Sequence, residues 1–181
     1  MQLNFYFDQS RCNGCQTCVV ACKDWNDVPP CAATWLRIQS REKGQFPKVM
    51  LSLLYLTCFH CTQPTCVSAC PTGALSKREK DGIVVVNQEL CLPNCQVCLT
   101  VCPYQAPQFR ESDALMEKCD FCLERIDAGL RPVCVDSCPQ RALDWGTKET
   151  LLMKYPSAVP WVEGYPEPTS TQPSLLIKAA R

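Results

Sequence analysis

The sequence predicts an α+β fold of two pseudo-symmetric modules, with an inserted β-hairpin and an extended C-terminal tail. Three observations carry this prediction. Sixteen of the 17 cysteines in the 181-residue chain fall into four groups of four. Short sequence patterns recur around those groups. The apolar runs between them are brief and bounded by turn signals, which gives small strands and helices rather than one long periodic element.

Group one is Cys12, Cys15, Cys18 and Cys22, spaced C-x2-C-x2-C-x3-C. Group two is Cys58, Cys61, Cys66 and Cys70, with a wider middle gap. Group three is Cys91, Cys95, Cys98 and Cys102, with three residues in its first gap. Group four is Cys119, Cys122, Cys134 and Cys138, with an eleven-residue middle gap. Proline follows the last cysteine of groups two, three and four (Pro71, Pro103, Pro139), where group one has Lys23. Three cysteines at this spacing curl one loop around three corners of an iron–sulfur cube. The fourth lies on a helical turn that has left that cube and reaches a second one, as in two-cluster bacterial ferredoxins. Proline suits the end of such a loop because it fixes φ and lacks an amide proton. Val19, Val20, Val67, Val97, Val101 and Val135 lie between ligands, where they would exclude water.

Two other uses of cysteine fit less well. A disulfide scaffold favours a short secreted chain with an even cysteine count. Structural zinc prefers two separated C-x2-C knuckles. Group four alone has that form, whereas groups one and three pack three ligands together.

Along the chain, Phe5–Cys12 parallels Val84–Cys91: a β-prone run, then Asp or Asn, then Gln, then the first cysteine of a group. Cys70-Pro71 leads to Ala74-Leu75 as Cys138-Pro139 leads to Ala142-Leu143. Groups one and three therefore open modules, and groups two and four close them. Thr34–Gln39 and Lys48–Leu56 read as a long hairpin around a polar turn at Arg41–Gly44, an insert spanning about residues 33–57. Asp81-Gly82 marks a second hairpin, between Leu75 and Ile83–Val86. Asp113–Lys118 and Leu123–Ala128 read as short helices, the latter stopped by Gly129. The four-cluster domain is expected over 1–146. Residues 147–181 hold no cysteine and five of the 15 prolines, and read as a partner-docking extension with Leu175-Leu176-Ile177 as a strand or anchor.

Composition narrows the function. The 18 basic and 18 acidic residues cancel, so no basic surface points to a nucleic-acid partner. The single histidine, His60, argues against a His-rich zinc or copper enzyme, and reads as a loop-filling side chain. Trp25, Trp35 and Trp145 read as core or interface residues, and Cys31 as a partly buried free thiol. Lys23, Arg11, Lys118 and Arg125 lie next to cysteines, where each would either raise a cluster potential, bind a partner or remain a solvated charge. Met1–Ser10 lacks the marks of a signal peptide. No apolar run approaches the ~20 residues of a spanning helix. A cytoplasmic location is expected, or a membrane-associated or periplasmic one if a partner subunit carries the chain there. No phosphate loop, nucleophile elbow or dinucleotide fingerprint is present. This is the composition of an electron carrier without a substrate site of its own.

These motifs bring out a family likeness. Asp8–Cys18, Ala21–Asp24, Cys70–Ala74 with Lys77–Glu79, Cys102–Gln108, Lys118–Asp120 with Cys122, and Pro132–Pro139 occur in order. In these, over residues 3 to 146, the chain resembles the four-cluster iron–sulfur subunits of the dimethyl sulfoxide reductase superfamily of molybdenum and tungsten enzymes. The anaerobic dimethyl sulfoxide reductase branch is the most similar. The resemblance implies four [4Fe–4S] clusters with exchanged ligands: Cys12, Cys15 and Cys18 with Cys138; Cys119, Cys122 and Cys134 with Cys22; Cys58, Cys61 and Cys66 with Cys102; Cys91, Cys95 and Cys98 with Cys70. Groups one and four then form one ferredoxin-like half, and groups two and three the other. The gap from Cys91 to Cys95 is one residue longer than the family's usual one. The implied partners are a large molybdenum- or tungsten-bis-pterin catalytic subunit and either a quinol-reactive membrane subunit or a soluble flavoprotein or ferredoxin. A stand-alone or filament-forming polyferredoxin, and the electron-conveying subunit of a tungsten aldehyde oxidoreductase, are the alternatives.

Overall fold

The structure is a computed structural model and describes residues 1–30, 33–168 and 170–180. Cys31 lies outside the described residues. The fold starts with β1 (Leu3–Asp8), whose Leu-Asn-Phe-Tyr-Phe-Asp run is buried throughout. Such a run suits a central strand, because both faces are covered. β1 lies between β8 (Leu143–Thr147), antiparallel to it, and β9 (Leu175–Lys178), parallel to it. In the other half β4 (Leu75–Lys77) and β5 (Val84–Val86) pair antiparallel around the Asp81-Gly82 turn. The correspondence is close. β1 precedes group one and pairs with the strand after group four; β5 precedes group three and pairs with the strand after group two.

The repeated motifs take the same local shape in both halves. Asp8 accepts a hydrogen bond from Ser10 N (2.9 Å), and Asn87 accepts one from Glu89 N (3.0 Å). These are side-chain turns of the kind Asp and Asn favour. After the terminal cysteines, Gly73 (φ 68), Gln105 (φ 49) and Arg141 (φ 50) are all left-handed. Their amides donate to the carbonyls of Cys70, Cys102 and Cys138.

Short helices supply the third cysteine of every group. Cys18, Cys66, Cys98 and Cys134 each occupy the second residue of a helix: α1 (Thr17–Trp25), α2 (Thr65–Ser68), α3 (Val97–Thr100) and α5 (Val133–Asp136). The last three stop within one turn, just ahead of a Cys-Pro pair. Group one has Lys23 in place of proline, so α1 continues to Trp25 and carries Cys22 as well. α1 packs on α5, and α2 on α3. α4 (Leu123–Asp127) leads to Gly129 at φ 74.

The structure differs from the sequence reading in three places. The long hairpin is formed by β2 (Arg37–Gln45) and β3 (Lys48–Leu56), and it turns at Phe46-Pro47, with Gln45 opposite Lys48. Arg41–Gly44 lie within β2 instead. Their polarity reflects exposure of this part of the ribbon, not chain reversal. Asp113–Lys118 is not helical. Asp113 accepts from Leu115 N (3.0 Å) and binds Arg110, closing a turn between β6 (Gln108–Phe109) and β7 (Met116–Glu117). The C-terminal segment is not an extended tail. α6 (Lys148–Lys154) is capped by Thr147, which accepts from Thr150 N (3.2 Å), and β9 returns to the central sheet. Apolar side chains explain that return: Leu176 and Leu151 pack with Tyr6 and Ala158 in a core of their own.

The main core is aromatic and lies against the cysteines. Phe5 stacks on Phe121 (4.1 Å between ring centres) and meets Tyr55 edge-on (5.7 Å). Leu176→Ala should cost about 2–5 kcal/mol, as for other buried leucines. A thermal melt followed by both ellipticity and cluster absorbance checks this, and the two signals are expected to fall together at a lowered midpoint.

Candidate functional site

None of the sixteen grouped cysteines forms a disulfide. Group one winds from the Asp8 turn through Gly14 (φ 74) and Gln16 (φ 63) into α1. Cys12 N donates to Asp8 O (3.2 Å), and Cys15 N donates to the Asn13 side chain (3.2 Å). Cys138 comes to this loop from the far end of the sequence. Cys12, Cys15, Cys18 and Cys138 line one cavity, with Phe7 and Ile38 as apolar wall.

Group four starts with two consecutive left-handed residues, Phe121 (φ 65) and Cys122 (φ 52), and Asp120 accepts from Cys122 N (2.8 Å). This winding turns backbone amides toward sulfur. Phe121 N donates to Cys119 Sγ (3.4 Å), Val133 N to Cys122 Sγ (3.4 Å) and Ala142 N to Cys138 Sγ (3.3 Å). Amide donors of this kind favour a thiolate. Burial acts in the opposite direction. It pushes the Cys18 thiol up to about 12, with Cys138 and Cys12 adding to the effect. Burial likewise raises Cys61 and Cys66 to about 12 and Cys98 to about 11. Cys119 and Cys134, both buried, are raised well above the ordinary thiol range by burial and neighbouring cysteines. A protein that buries this many thiols next to one another needs a bound cation to hold them as thiolates.

Cysteines act electrostatically on thiols of another group as well as on those of their own. Cys22 is raised by burial, then by Cys134 and Cys122. Cys61 and Cys66 each feel Cys58 and Cys102. Cys98 feels Cys91 and Cys95, and Cys70 and Cys91 pack against the small core that contains Cys98. In group three the extra residue is absorbed at Asn94. It is left-handed (φ 61), and its N–H donates to Ala114 O (3.2 Å) while Leu92–Asn94 stay exposed. Among the described residues no three His, Cys, Asp or Glu side chains converge on a point that would hold a single metal ion.

The sixteen cysteines, free of disulfides and drawn together across groups, fit cubane clusters. Residues 49–148 match a family model described as a 4Fe-4S dicluster domain, and residues 11–75 match a second with the same description. The B subunit of anaerobic dimethyl sulfoxide reductase from Escherichia coli (strain K12) is 40% identical over 185 aligned positions, which cover 98% of this chain and 88% of the relative. The subunit of that name from Haemophilus influenzae is 39% identical, over 98% of this chain and 89% of its own. Protein NrfC of Escherichia coli (strain K12) is 39% identical over 77% of this chain and 62% of its own. The protein belongs to the family of anaerobic dimethyl sulfoxide reductase iron–sulfur subunits. As a member, this iron–sulfur subunit is an electron-transfer protein that carries four [4Fe–4S] clusters. No helix among its described residues is long and apolar enough to cross a membrane.

Other residues singled out in the sequence occupy definite places in this iron–sulfur subunit. His60 is buried and left-handed (φ 45), and its Nδ1 accepts from Val84 N (3.0 Å). Burial, with Lys118 and Lys77 nearby, holds the imidazole well below its ordinary pKa. Arg11 pairs with Asp8 (3.6 Å), and Lys23 donates to Pro29 O (3.3 Å). Arg125 pairs with Asp136 (2.5 Å) and lies over the Trp25 ring (4.8 Å). Trp35 packs on the main core, and Trp145 meets Phe121 edge-on. Lys118 is buried and donates to the carbonyls of Val84 and Cys119.

Sequence reasoning missed what the C-terminal segment does. Thr62 N and Gln63 N of the group-two loop donate to Gln172 O (2.8 Å) and Thr171 O (3.1 Å), and Ser174 N donates to Phe59 O (3.0 Å). Lys178 donates to the Asp8 carboxylate (3.1 Å) at the group-one loop. The prolines around these residues gave no hint of their partners. Burial raises the Asp8 carboxyl, but the Ser10 hydroxyl and the Lys178 ammonium outweigh it and hold the pKa below the ordinary value. The sign follows: a carboxyl lowered on folding adds stability above its unfolded pKa and loses it as pH falls through the folded one. Asp8→Asn should therefore cost about 1–3 kcal/mol at neutral pH and less in acid. Urea unfolding at pH 7 and at pH 4 checks this, the gap between variant and native protein narrowing at the lower pH.

Proposed function

We propose that the chain relays single electrons between a molybdenum- or tungsten-pterin catalytic subunit and a quinol-reactive membrane subunit or soluble redox partner, without catalysing a reaction itself. When bound, each cluster takes up and releases one electron. The chain's own residues hold the clusters in order, exclude water and supply amide donors to sulfur.

The observation that carries this reading is the continuity of the cysteines. The ligand sets are Cys12/Cys15/Cys18/Cys138, Cys22/Cys119/Cys122/Cys134, Cys58/Cys61/Cys66/Cys102 and Cys70/Cys91/Cys95/Cys98. Cys134 feels Cys18 across the first junction, and Cys119 feels Cys58 across the second. Cys66 and Cys70 pack on the same small core at the third. Four clusters held this way form one row, with two inner members and two outer ones. Residues 1–146 would hold the row, and residues 147–181, folded back on it, would offer a partner their outward side.

Such a row serves a protein whose partners sit at its two ends. Copurification from the native host tests the partners: a large pterin-containing subunit is expected, and isolation of this subunit alone after gentle lysis would contradict the reading. The exchanged ligands have a separate test. About sixteen iron atoms per chain are expected from four cubanes. Joint replacement of Cys22 and Cys119 by serine should disrupt one cluster and remove up to about four of them, because both ligands serve the same cube. Ligation within each sequence group would instead disrupt two clusters, with loss of up to about eight. Iron analysis and spin integration of the reduced protein distinguish the two.

A further inference from the structure

Among the described residues Lys118 is the one buried lysine or arginine. It is 3% exposed. Its ammonium donates to Val84 O on β5 and to Cys119 O (3.1 Å), so it bridges the two halves. His60 Nδ1 accepts the N–H of the same Val84, so the Val84 backbone is held at both its carbonyl and its amide. Among the described residues no carboxylate lies within ion-pair distance of Lys118. Arg37 and Lys77 also donate only to carbonyls, but both are half-buried where Lys118 is buried.

A charge buried without a counter-charge costs several kcal/mol. Two carbonyl dipoles solvate the ammonium but do not neutralise it. The negative charge near it belongs to sulfur. Through Val84 Lys118 adjoins His60, which stands between Cys58 and Cys61 in the group-two loop. It is also bonded to the peptide of Cys119. Cys58, Cys61 and Cys119 belong to the two inner ligand sets. A cubane held by four thiolates is anionic and gains a further negative charge on reduction. A fixed cation beside it therefore stabilises the reduced form more than the oxidised one, and net charge is one of the terms that set cluster potentials.

We propose that Lys118 is the buried counter-cation of the two inner clusters, and that it raises their reduction potentials relative to the outer two. This rests on the ligand sets proposed above. Lys118 is a positioning residue: it exchanges no electron, and the two carbonyls keep its charge in place. The consequence is an uneven row, with the inner clusters easier to reduce than their ligation alone would make them.

The test is a redox titration of the purified complex followed by electron paramagnetic resonance, with Lys118→Met, Lys118→Gln and Lys118→Arg beside the native protein and iron counted in each. Lys118→Met and Lys118→Gln should lower two of the four midpoint potentials and leave the other two unmoved, while Lys118→Arg restores them. If the neutral variants do not assemble clusters, assembly at native potentials in Lys118→Arg alone gives the same answer, because arginine keeps the charge that glutamine, also an N–H donor, lacks. Four unmoved midpoints in a neutral variant with its full iron complement would overturn the role of Lys118. So would loss of clusters in the arginine variant to the same extent as in the neutral ones, which is the behaviour of a structural clamp. Failure of the underlying ligand sets would show separately, as loss of about eight rather than about four iron atoms on joint replacement of Cys22 and Cys119 by serine.

Discussion

Four [4Fe–4S] clusters must be held by cysteine thiolates inside a protein of 181 residues, and the rest of the structure follows from that requirement. Burial alone drives these groups the other way, most strongly at Cys119 and Cys134. Iron supplies the positive charge, and the chain supplies geometry and amide donors. The main hydrophobic core accordingly includes cysteines among its members, packed with Phe5, Tyr55 and Phe121. With the clusters at its centre, the fold manages with short strands and one-turn helices that would be marginal on their own.

One local device is used four times. A loop wound by left-handed residues or Asx turns delivers the early cysteines, and the third begins a helix at its second residue. In three copies a Cys-Pro step then ends the helix and a left-handed residue turns the chain into the next strand or loop. The one departure has a simple cause. Lys23 stands where the others have proline, α1 runs on, and its extra length packs against α5 of group four. Sequence distance is thereby converted into spatial contact, and groups one and four meet although they stand at opposite ends of the cysteine-bearing sequence.

Much of this was legible in the sequence because ligand spacing is a local property. The C-x2-C pattern, the Cys-Pro steps and the Asp8 and Asn87 repeats each specify a short-range geometry, and the structure contains each of those turns. The readings that failed depended on distant partners. Arg41–Gly44 resembled a turn in composition, but the β2–β3 register places reversal at Phe46-Pro47. Asp113–Lys118 had helical composition, yet the Arg110–Asp113 ion pair and the Leu115 amide select a hairpin. The C-terminal segment was the least legible. Its prolines suggest extension, while its role depends on Lys178 meeting Asp8 and on Thr171 and Gln172 meeting the group-two loop, contacts that only the folded chain brings together.

That segment links the electron path to stability. It touches both the first and the second cysteine loops, so the two halves are held by backbone hydrogen bonds as well as by the aromatic core and Lys118. Rigid spacing between neighbouring clusters is what a relay needs, since electron exchange weakens steeply with distance. The claim that the clusters form one row is tested most directly by locating the iron. Anomalous diffraction at the iron edge from crystals of the intact complex should give four compact iron groups in a line, with Cys12 and Cys138 at one end and Cys70 and Cys91 at the other. Fewer than four groups, or a Cys70 cluster lying beside the Cys12 cluster, would contradict the account.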